Sequence, residues 1–329
     1  MRIAILGATG MLGHHTALAA QAAGHEVIVL HRPNSDLARI EDIQGERRVA
    51  TLDKRQWMER ALEGVDAVIN CAAYYPTTPK HWKDEVKAAT YQMQKFYDAC
   101  AIHPLKKIVY LGGSIALPKN PSGDPGHADL YYPQTPNNKN AYLQVKWTMD
   151  KQALAQANNG LPVVVGIPSM TFGEFDYGPS TGQLITEIAN GTLPAYVRGQ
   201  RNVIYAGDAG RGLLACAEKG QPGKRYLLTG ENTDMDTLVS IISKLSNRPT
   251  PKAVPLGMAK AVNQIQTTVY KLGGKPPKVS ETAIAVMSAG QHLDGKQTEK
   301  ELNFKPEIST ESAVNKAFQW FLEQGYIGE

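Results

Sequence analysis

The first half of the chain alternates short, almost unbroken apolar runs with longer segments of mixed character. The runs are RIAIL at 2–6, EVIVL at 26–30, DAVINC at 66–71, KKIVYL at 106–111 and LPVVVGI at 161–167, with a weaker one, RRVATL, at 47–52. Continuous rather than alternating apolarity marks strands that helices cover on both faces. The segments between them, at 11–23, 55–63, 83–102 and 139–158, read as helices. Within the third, Val86, Ala89, Met93, Tyr97 and Cys100 form one apolar stripe. Strand and helix in strict alternation predict an α/β protein with a doubly wound parallel sheet over residues 1–168.

After Pro168 the rhythm changes. Residues 169–202 are rich in Gly, Thr, Ser and Pro and hold one helix-like piece, TGQLITEIANG. A short strand NVIY, a helix near 208–219, a strand RYLLTG, a helix near 234–246 and a helical tail interrupted by Lys and Pro follow. This pattern predicts a smaller mixed α/β lobe over 169–329 that closes over the sheet and supplies substrate contacts, with some of its chain crossing back to the sheet.

Composition narrows the function classes. At 329 residues, 42% hydrophobic and 20% charged, the chain can bury a sizeable core. A net charge of +4 without a polybasic run argues against nucleic acid or membrane surfaces as partners. The three cysteines, Cys71, Cys100 and Cys216, stand apart, which points to reduced thiols. Eight histidines show no metal-ligand spacing, and the adjacent His14 and His15 are expected to point to different sides of a helix, so no metal is expected. The first residues already form an apolar strand, and no apolar run is long enough to span a bilayer; a cytoplasmic protein is expected.

The turn after the first strand, LGATGMLG, carries Gly7, Gly10 and Gly13. Gly7 suits a tight turn, Gly10 a close backbone approach to a pyrophosphate, and Gly13 the packing of helix on strand. The helix N-terminus would then offer free N–H groups and the positive end of its dipole to the phosphates. Thr9, Met11 and Leu12 in the same turn count as cofactor-binding with these glycines. The second strand ends at His31 and Arg32, where an NAD site usually places an acid for the ribose. Arg32 offers a planar fork for a 2′-phosphate instead, so NADP(H) is favoured and NAD(H) is the alternative.

Two Tyr–Lys pairs share the i, i+4 spacing: Tyr91 with Lys95, and Tyr142 with Lys146. Both side chains of such a pair lie on one helix face. Tyr91 and Lys95 fall opposite the apolar stripe of their helix, whereas Tyr142 and Lys146 align with Val145, Met149 and Ala153. A lysine on an apolar face needs a purpose, and a cation beside a phenol lowers its pKa from about 10. Ser114, just past the strand ending IVYLGG, completes a candidate set. Its hydroxyl can donate to a substrate oxygen while Tyr142 handles the proton, and Gly112 and Gly113 would let a ligand approach the backbone.

GATGMLG, Ser114 and YLQVK in this order resemble the extended short-chain dehydrogenases/reductases, the NAD-dependent epimerase/dehydratase group, over nearly the whole chain. HRPNSDL, LEGVDAVINCAA, KKIVYLGGSIAL, GLPVVVGIPSMTFGE, NGTLPAYV and KQTEKELNFKP look most like the dihydroflavonol-4-reductase-like branch. The resemblance implies a Rossmann-type sheet, with Gly7, Gly10 and Gly13 at the pyrophosphate and Arg32 at the adenosine phosphate. It also implies Ala72 and Ala73 at the ribose, Ser114, Tyr142 and Lys146 in catalysis, Lys146 at the ribose hydroxyls as well, Pro168 against the nicotinamide, and a homodimer through the helices near 83–102 and 139–158.

Three departures from the family pattern stand out. ATL replaces the common GDL, leaving Thr51 or Asp53 near the adenine, and the helix at 83–100 lacks the Asn that many relatives use to brace the lysine through water. MTFG replaces NVYG at 170–173, and Met170 cannot make the polar contact to a sugar nucleotide.

The expected function is therefore NAD(P)-dependent hydride transfer to or from a carbonyl or secondary alcohol of a small-molecule substrate. A nucleoside-diphosphate-sugar epimerase or dehydratase with bound NAD is the alternative, for which Arg198, Arg201 and Lys224 are available, and a non-catalytic dinucleotide sensor is a third reading. Phe172, Phe175, Tyr177 and Tyr196, with Tyr74 and Tyr75, are candidates to line the substrate pocket, core packing being at least as good an explanation for each.

Overall fold

The computed structural model describes residues 1–72, 74, 81–271 and 281–328. The first part runs β1 (Arg2–Leu6), α1 (Met11–Ala22), β2 (Glu26–His31), β3 (Glu46–Val49), α2 (Arg55–Ala61), β4 (Ala67–Asn70), α3 (Trp82–Cys100), β5 (Lys107–Leu111), α4 (Ala141–Asn158) and β6 (Val163–Pro168). There follow β7 (Met170–Phe172), α5 (Gln183–Ala189), β8 (Ala195–Val197), β9 (Gln200–Tyr205), α6 (Ala206–Lys219), β10 (Arg225–Leu228), β11 (Glu231–Asp234) and α7 (Met235–Leu245). The chain closes with β12 (Lys252–Val254), α8 (Leu256–Lys271), α9 (Glu281–Ala289), α10 (Lys296–Leu302) and α11 (Thr310–Glu323).

Seven parallel strands in the order β10-β6-β5-β4-β1-β2-β3 form the main sheet. The period-two alternation of its strands sorts their side chains into two cores. Ala4, Leu6, Ile28, Val68, Ile108, Tyr110 and Val165 pack beneath α2, α3 and α4 with Met58, Met93, Phe96 and Met149. Ile3, Ile5, Val27, Ile69, Val109 and Val164 pack on the other face with Ala17, Leu213 and Cys216 of α1 and α6. Both faces are therefore buried, which explains the unbroken apolar runs.

The weakest run, 47–52, forms strand only over Glu46–Val49. It is the edge of the sheet, and Glu46 and Arg48 pair across its outer surface, the charged dressing that keeps an edge from pairing with another chain. The helix expected from 139 starts at Ala141, because Asn140 caps it by accepting from the backbone N–H groups of Tyr142 and Leu143 at 3.1 and 3.2 Å.

The later residues build a second layer from the sheet β11-β9-β7, the pair β12-β8 and the helices α5, α7 and α11. Its core holds Phe172, Ile185, Leu238, Ile242, Phe318 and Phe321. The strands β7, β8, β11 and β12 have three or four residues each, too short to show a period. Crossing back is substantial: α6 packs along α1, and β10 completes the main sheet.

The two layers meet at His14 and His15, both buried. His14 stacks on Phe175 at 3.6 Å between ring centroids, and His15 meets the same ring edge-on at 5.2 Å, so the two neighbours do converge on one side chain. Phe175 reaches this position with a positive φ of 68°. Burial pushes the His15 imidazole down to about 4, against the opposing pull of Glu174.

The α1–α6 contact depends on Gly210, where a methyl group would come within 2.6 Å of the backbone carbon of His15. Gly210→Ala is expected to cost about 1–3 kcal/mol through overpacking. Calorimetry should show a midpoint lowered by several degrees; an unchanged midpoint would show that the helices can move apart freely.

Candidate active site

The order of the strands reverses at β1, with β2 on one side and β4 on the other, and the crevice at their carboxyl ends is where open α/β sheets take ligands. Most of the residues singled out from the sequence lie along this edge. Gly7 follows β1 with φ +90°, a conformation open chiefly to glycine. A side chain there would press within 2.9 Å of the Ala72 amide nitrogen beyond β4, so the two turns touch. Gly10 caps α1 and is exposed, Thr9, Met11 and Leu12 are half-buried, and a methyl on Gly13 would strike the Gly7 carbonyl and come within 2.9 Å of the Ala8 nitrogen. The result is a bare cradle of backbone opening on a helix N-terminus, which fits a pyrophosphate.

His31 ends β2, half-buried, its ring bonded to the Arg32 carbonyl at 2.9 Å. Arg32 is exposed, and its guanidinium makes no ion pair among the described residues. Ala72 lies past β4, where the buried Asn70 side chain accepts from its N–H at 3.0 Å and holds the turn. Ala73 and Tyr75 lie outside the described residues. Pro168 ends β6, buried beside Leu228 of β10. Past the carboxyl end of the edge strand β3, Thr51 donates to Asp53, which lowers the pKa of that carboxyl group.

Ser114 opens a short 3-10 turn, Ser114–Ala116, after β5, and α4 packs on that turn. Tyr142 sits in the first turn of α4, with Lys146 one turn on. Tyr142 is half-buried against Ile115, Leu143, Ala285 and Ala289. Lys146 is 4% exposed, and its ammonium donates to the carbonyls of Leu111 at 3.3 Å and Gly112 at 3.5 Å. Burial lowers its pKa to about 8, while the charge of Asp150 pulls the other way. The competing pair is a surface feature: Tyr91 is 63% exposed, and the Lys95 ammonium lies 4.2 Å over its ring while donating to the Asp53 carbonyl.

One expectation changes. Gly112 and Gly113 do not clear a path for a ligand. A side chain on Gly113 would come within 3.2 Å of the Lys146 stem, and one on Gly112 within 2.8 Å of Ile167 and 3.1 Å of the Asp150 carboxylate, so the glycines make room for the protein's own β6 and α4. The cover over Tyr142 comes from α9, within 169–329, through Ala285 and Ala289, with Asn140 donating to the Thr282 hydroxyl at 3.5 Å.

The aromatic candidates are occupied as packing groups. Phe172 is in the second core, Phe175 stacks on His14, and Tyr177 lies against Trp320 and under Arg39. Tyr196 donates to Asp236 and Tyr74 to Glu85.

Sequence reading missed the cap Asn140, whose position before an apolar helix was a legible clue. It also missed Asp150 and Arg225, paired at 3.2 Å and buried beneath Lys146, which no local pattern announces.

Comparison with known proteins bears directly on this constellation. The family model for NAD-dependent epimerases/dehydratases matches residues 3–228. The chain belongs to the NAD-dependent epimerase/dehydratase family. Within it, the chain is 25% identical over 331 aligned positions to the sterol demethylase protein B of Methylococcus capsulatus, covering 99% of this chain and 100% of that one. It is 25% identical to a Synechocystis protein that carries the name dihydroflavonol 4-reductase, covering 98% and 95%. A crystal structure of a nucleoside-diphosphate-sugar epimerase from Pseudomonas aeruginosa superposes with a TM-score of 0.87 at 41% identity, covering 100% of this chain and 99% of that one. The Rossmann-type architecture and the relation to the dihydroflavonol-reductase branch agree with the resemblance seen in the sequence. Among the described residues no helix is long and apolar enough to cross a membrane, and no group of three His, Cys, Asp or Glu side chains could hold a metal ion.

For a family member that binds its dinucleotide at the β1–α1 turn, Gly13→Ala should force that turn open. Affinity for NAD(P)H, read by fluorescence titration, is expected to fall about tenfold or more, since about 1.4 kcal/mol of lost binding already does so. Wild-type affinity in a folded Gly13→Ala protein would place the phosphates elsewhere.

Proposed function

We propose that this family member is an NADP(H)-dependent reductase or dehydrogenase acting on a carbonyl or secondary alcohol, with Ser114, Tyr142 and Lys146 as its catalytic residues. The observation that carries the reading is the Lys146 ammonium, buried at 4% exposure one helical turn behind Tyr142 at the carboxyl edge of the sheet. A cation taken out of water is costly unless it acts on a neighbour. Here the neighbour is a phenol whose proton must move near neutral pH.

The dinucleotide, when bound, supplies or accepts the hydride. Gly7, Gly10 and Gly13 would hold its pyrophosphate, with Thr9, Met11 and Leu12 around the turn, while His31 and Arg32 would face the adenosine end. Ala72 and Pro168 would line the ribose and the nicotinamide, and Lys146 would reach the ribose hydroxyls. Tyr142 passes the proton at its phenol oxygen, Lys146 favours the phenolate, and the Ser114 hydroxyl donates to the substrate oxygen. Ile115, Leu143, Ala285 and Ala289 give the substrate an apolar wall that limits water near the phenol. That wall, and a relative named for sterol demethylation, favour an apolar substrate over a sugar. Met170 points the same way: it lies in β7 against the second core, where the nucleotide-sugar enzymes resembled by this sequence carry an asparagine. The outer face of α3 and the turn after it, with Tyr91 63% and Ile102 58% exposed, together with α4, is the surface we assign to a homodimer.

A second reading, a nucleoside-diphosphate-sugar epimerase with tightly held NAD, is favoured by Arg201. This side chain on β9 is 6% exposed, bonds only the adjacent Gln200 carbonyl, and has no carboxylate partner among the described residues. A buried guanidinium of this kind suits a diphosphate. NAD carried through purification together with turnover of UDP-sugars would establish that reading instead.

Tyr142→Phe should leave NADPH binding intact and reduce turnover about 100-fold or more, the usual contribution of a positioned proton donor. Full turnover by this variant on the true substrate would remove Tyr142 from the chemistry. Arg32→Ala should weaken NADPH about tenfold, as expected for a lost charge-assisted hydrogen bond, and leave NADH unchanged. Tryptophan fluorescence titrated with both cofactors reads this, and equal effects on the two would rule out a phosphate role for Arg32.

A further inference from the structure

Beneath Lys146 lies a charged cluster that the proposed chemistry does not use. Asp150 follows Lys146 by one turn of α4 and is fully buried. Its Oδ2 accepts from the Arg225 guanidinium at 3.2 Å, and its Oδ1 has no hydrogen-bond partner among the described residues. That unpartnered oxygen faces Gly112, whose carbonyl receives the Lys146 ammonium. Arg225 is itself gripped, donating to the carbonyls of Ala128 at 2.9 Å and Leu130 at 2.8 Å, with its guanidinium over the Tyr131 ring. A guanidinium from β10 therefore holds a carboxylate on α4 against the turn where the lysine ends. Helix α3 contains no asparagine that could brace the lysine from the other side.

On the proposed oxidoreductase reading, we propose that Asp150, held by Arg225, is the positioning residue of Lys146. Its buried carboxylate supplies the counter-charge that keeps the ammonium charged and in place behind Tyr142.

The other groups around the pair do not supply that charge. Cys71 faces Lys146 from the end of β4, and burial pushes its thiol up to about 12, so it stays neutral. The Tyr110 ring on β5 lies 5.8 Å from the ammonium. Tyr97 on α3, Tyr110 and Tyr131 face Asp150, and burial raises all three phenols, which therefore stay neutral as well. Tyr142, on the same helix, faces Tyr110. Among the groups acting on Lys146, Asp150 has the largest effect opposing its desolvation. Burial raises the Asp150 carboxyl itself to about 6, with Arg225 and Lys146 holding it down, so it is charged at neutral pH.

The sign of the effect follows. A nearby negative charge favours the protonated amine, so its removal should let Lys146 lose its proton at lower pH. Protein labelled with 13C at the lysine ε carbons can be titrated by NMR, the Lys146 signal being assigned by its absence in Lys146→Met. The midpoint in Asp150→Asn is expected about one pH unit or more below wild type, the size of shift that close charges produce.

Asp150→Asn leaves Arg225 buried without its carboxylate, which threatens folding. Asp150→Asn/Arg225→Gln removes both charges, and its midpoint should still fall, by less than in Asp150→Asn because a nearby cation is lost as well. A wild-type midpoint in either folded variant overturns the proposal and leaves Asp150 a purely structural partner of Arg225. The same shift should bring the alkaline limb of the turnover profile to lower pH. The NMR titration needs no substrate, so it stands even if the oxidoreductase reading fails through an unaffected Tyr142→Phe enzyme.

Discussion

Seven strands that all run the same way place all their carboxyl ends on one edge, and the rest of this molecule is arranged around that edge. Parallel pairing needs a crossover after each strand, so helices cover both faces and leave only the rim for polar work. The rim then collects the glycine turn, the end of β2, the Asn70-braced turn and Ser114 from four different strands. Nothing local brings these residues together; the direction of the strands does.

Within that frame, burial decides which groups matter. Tyr91 with Lys95 and Tyr142 with Lys146 have the same spacing, yet one pair lies in solvent with a cation resting on its ring, and the other has its amine enclosed. The helix face foretold this outcome because it depends on nearby side chains only. The glycine turn was legible for a similar reason: each glycine answers a steric demand set within a few residues, such as the positive φ at Gly7.

What the sequence hid is non-local. Gly112 and Gly113 look like clearance for a ligand, but the side chains that need the space, Lys146 and Asp150, come from a helix more than thirty positions away. The partner of Asp150 is 75 positions distant on a strand that returns from the second layer. The roof over Tyr142 comes from α9, and its apolar residues are too few and too small to be told from ordinary packing. The aromatic residues near 172–196 left pocket and core equally open in the sequence, because size alone serves both, and tertiary packing takes them for the core.

The anchorage of α9 has a wider consequence. Just beyond it, Gln291 donates to the Pro118 carbonyl, and Leu293 bridges Gly126, so the helix is pinned to the loop after Ser114 by a few contacts near its C-terminal end. At its other end α9 meets α4, through the Asn140–Thr282 bond and the packing of Ala285 with Leu143 and Tyr142, while the glycine turn after β1 lies outside these contacts. On the proposed reading, selectivity would rest with this covering helix and chemistry with α4 and the sheet edge. An evolving lineage could exchange the covering helix for another and so change the molecules it accepts while the reaction centre is inherited intact.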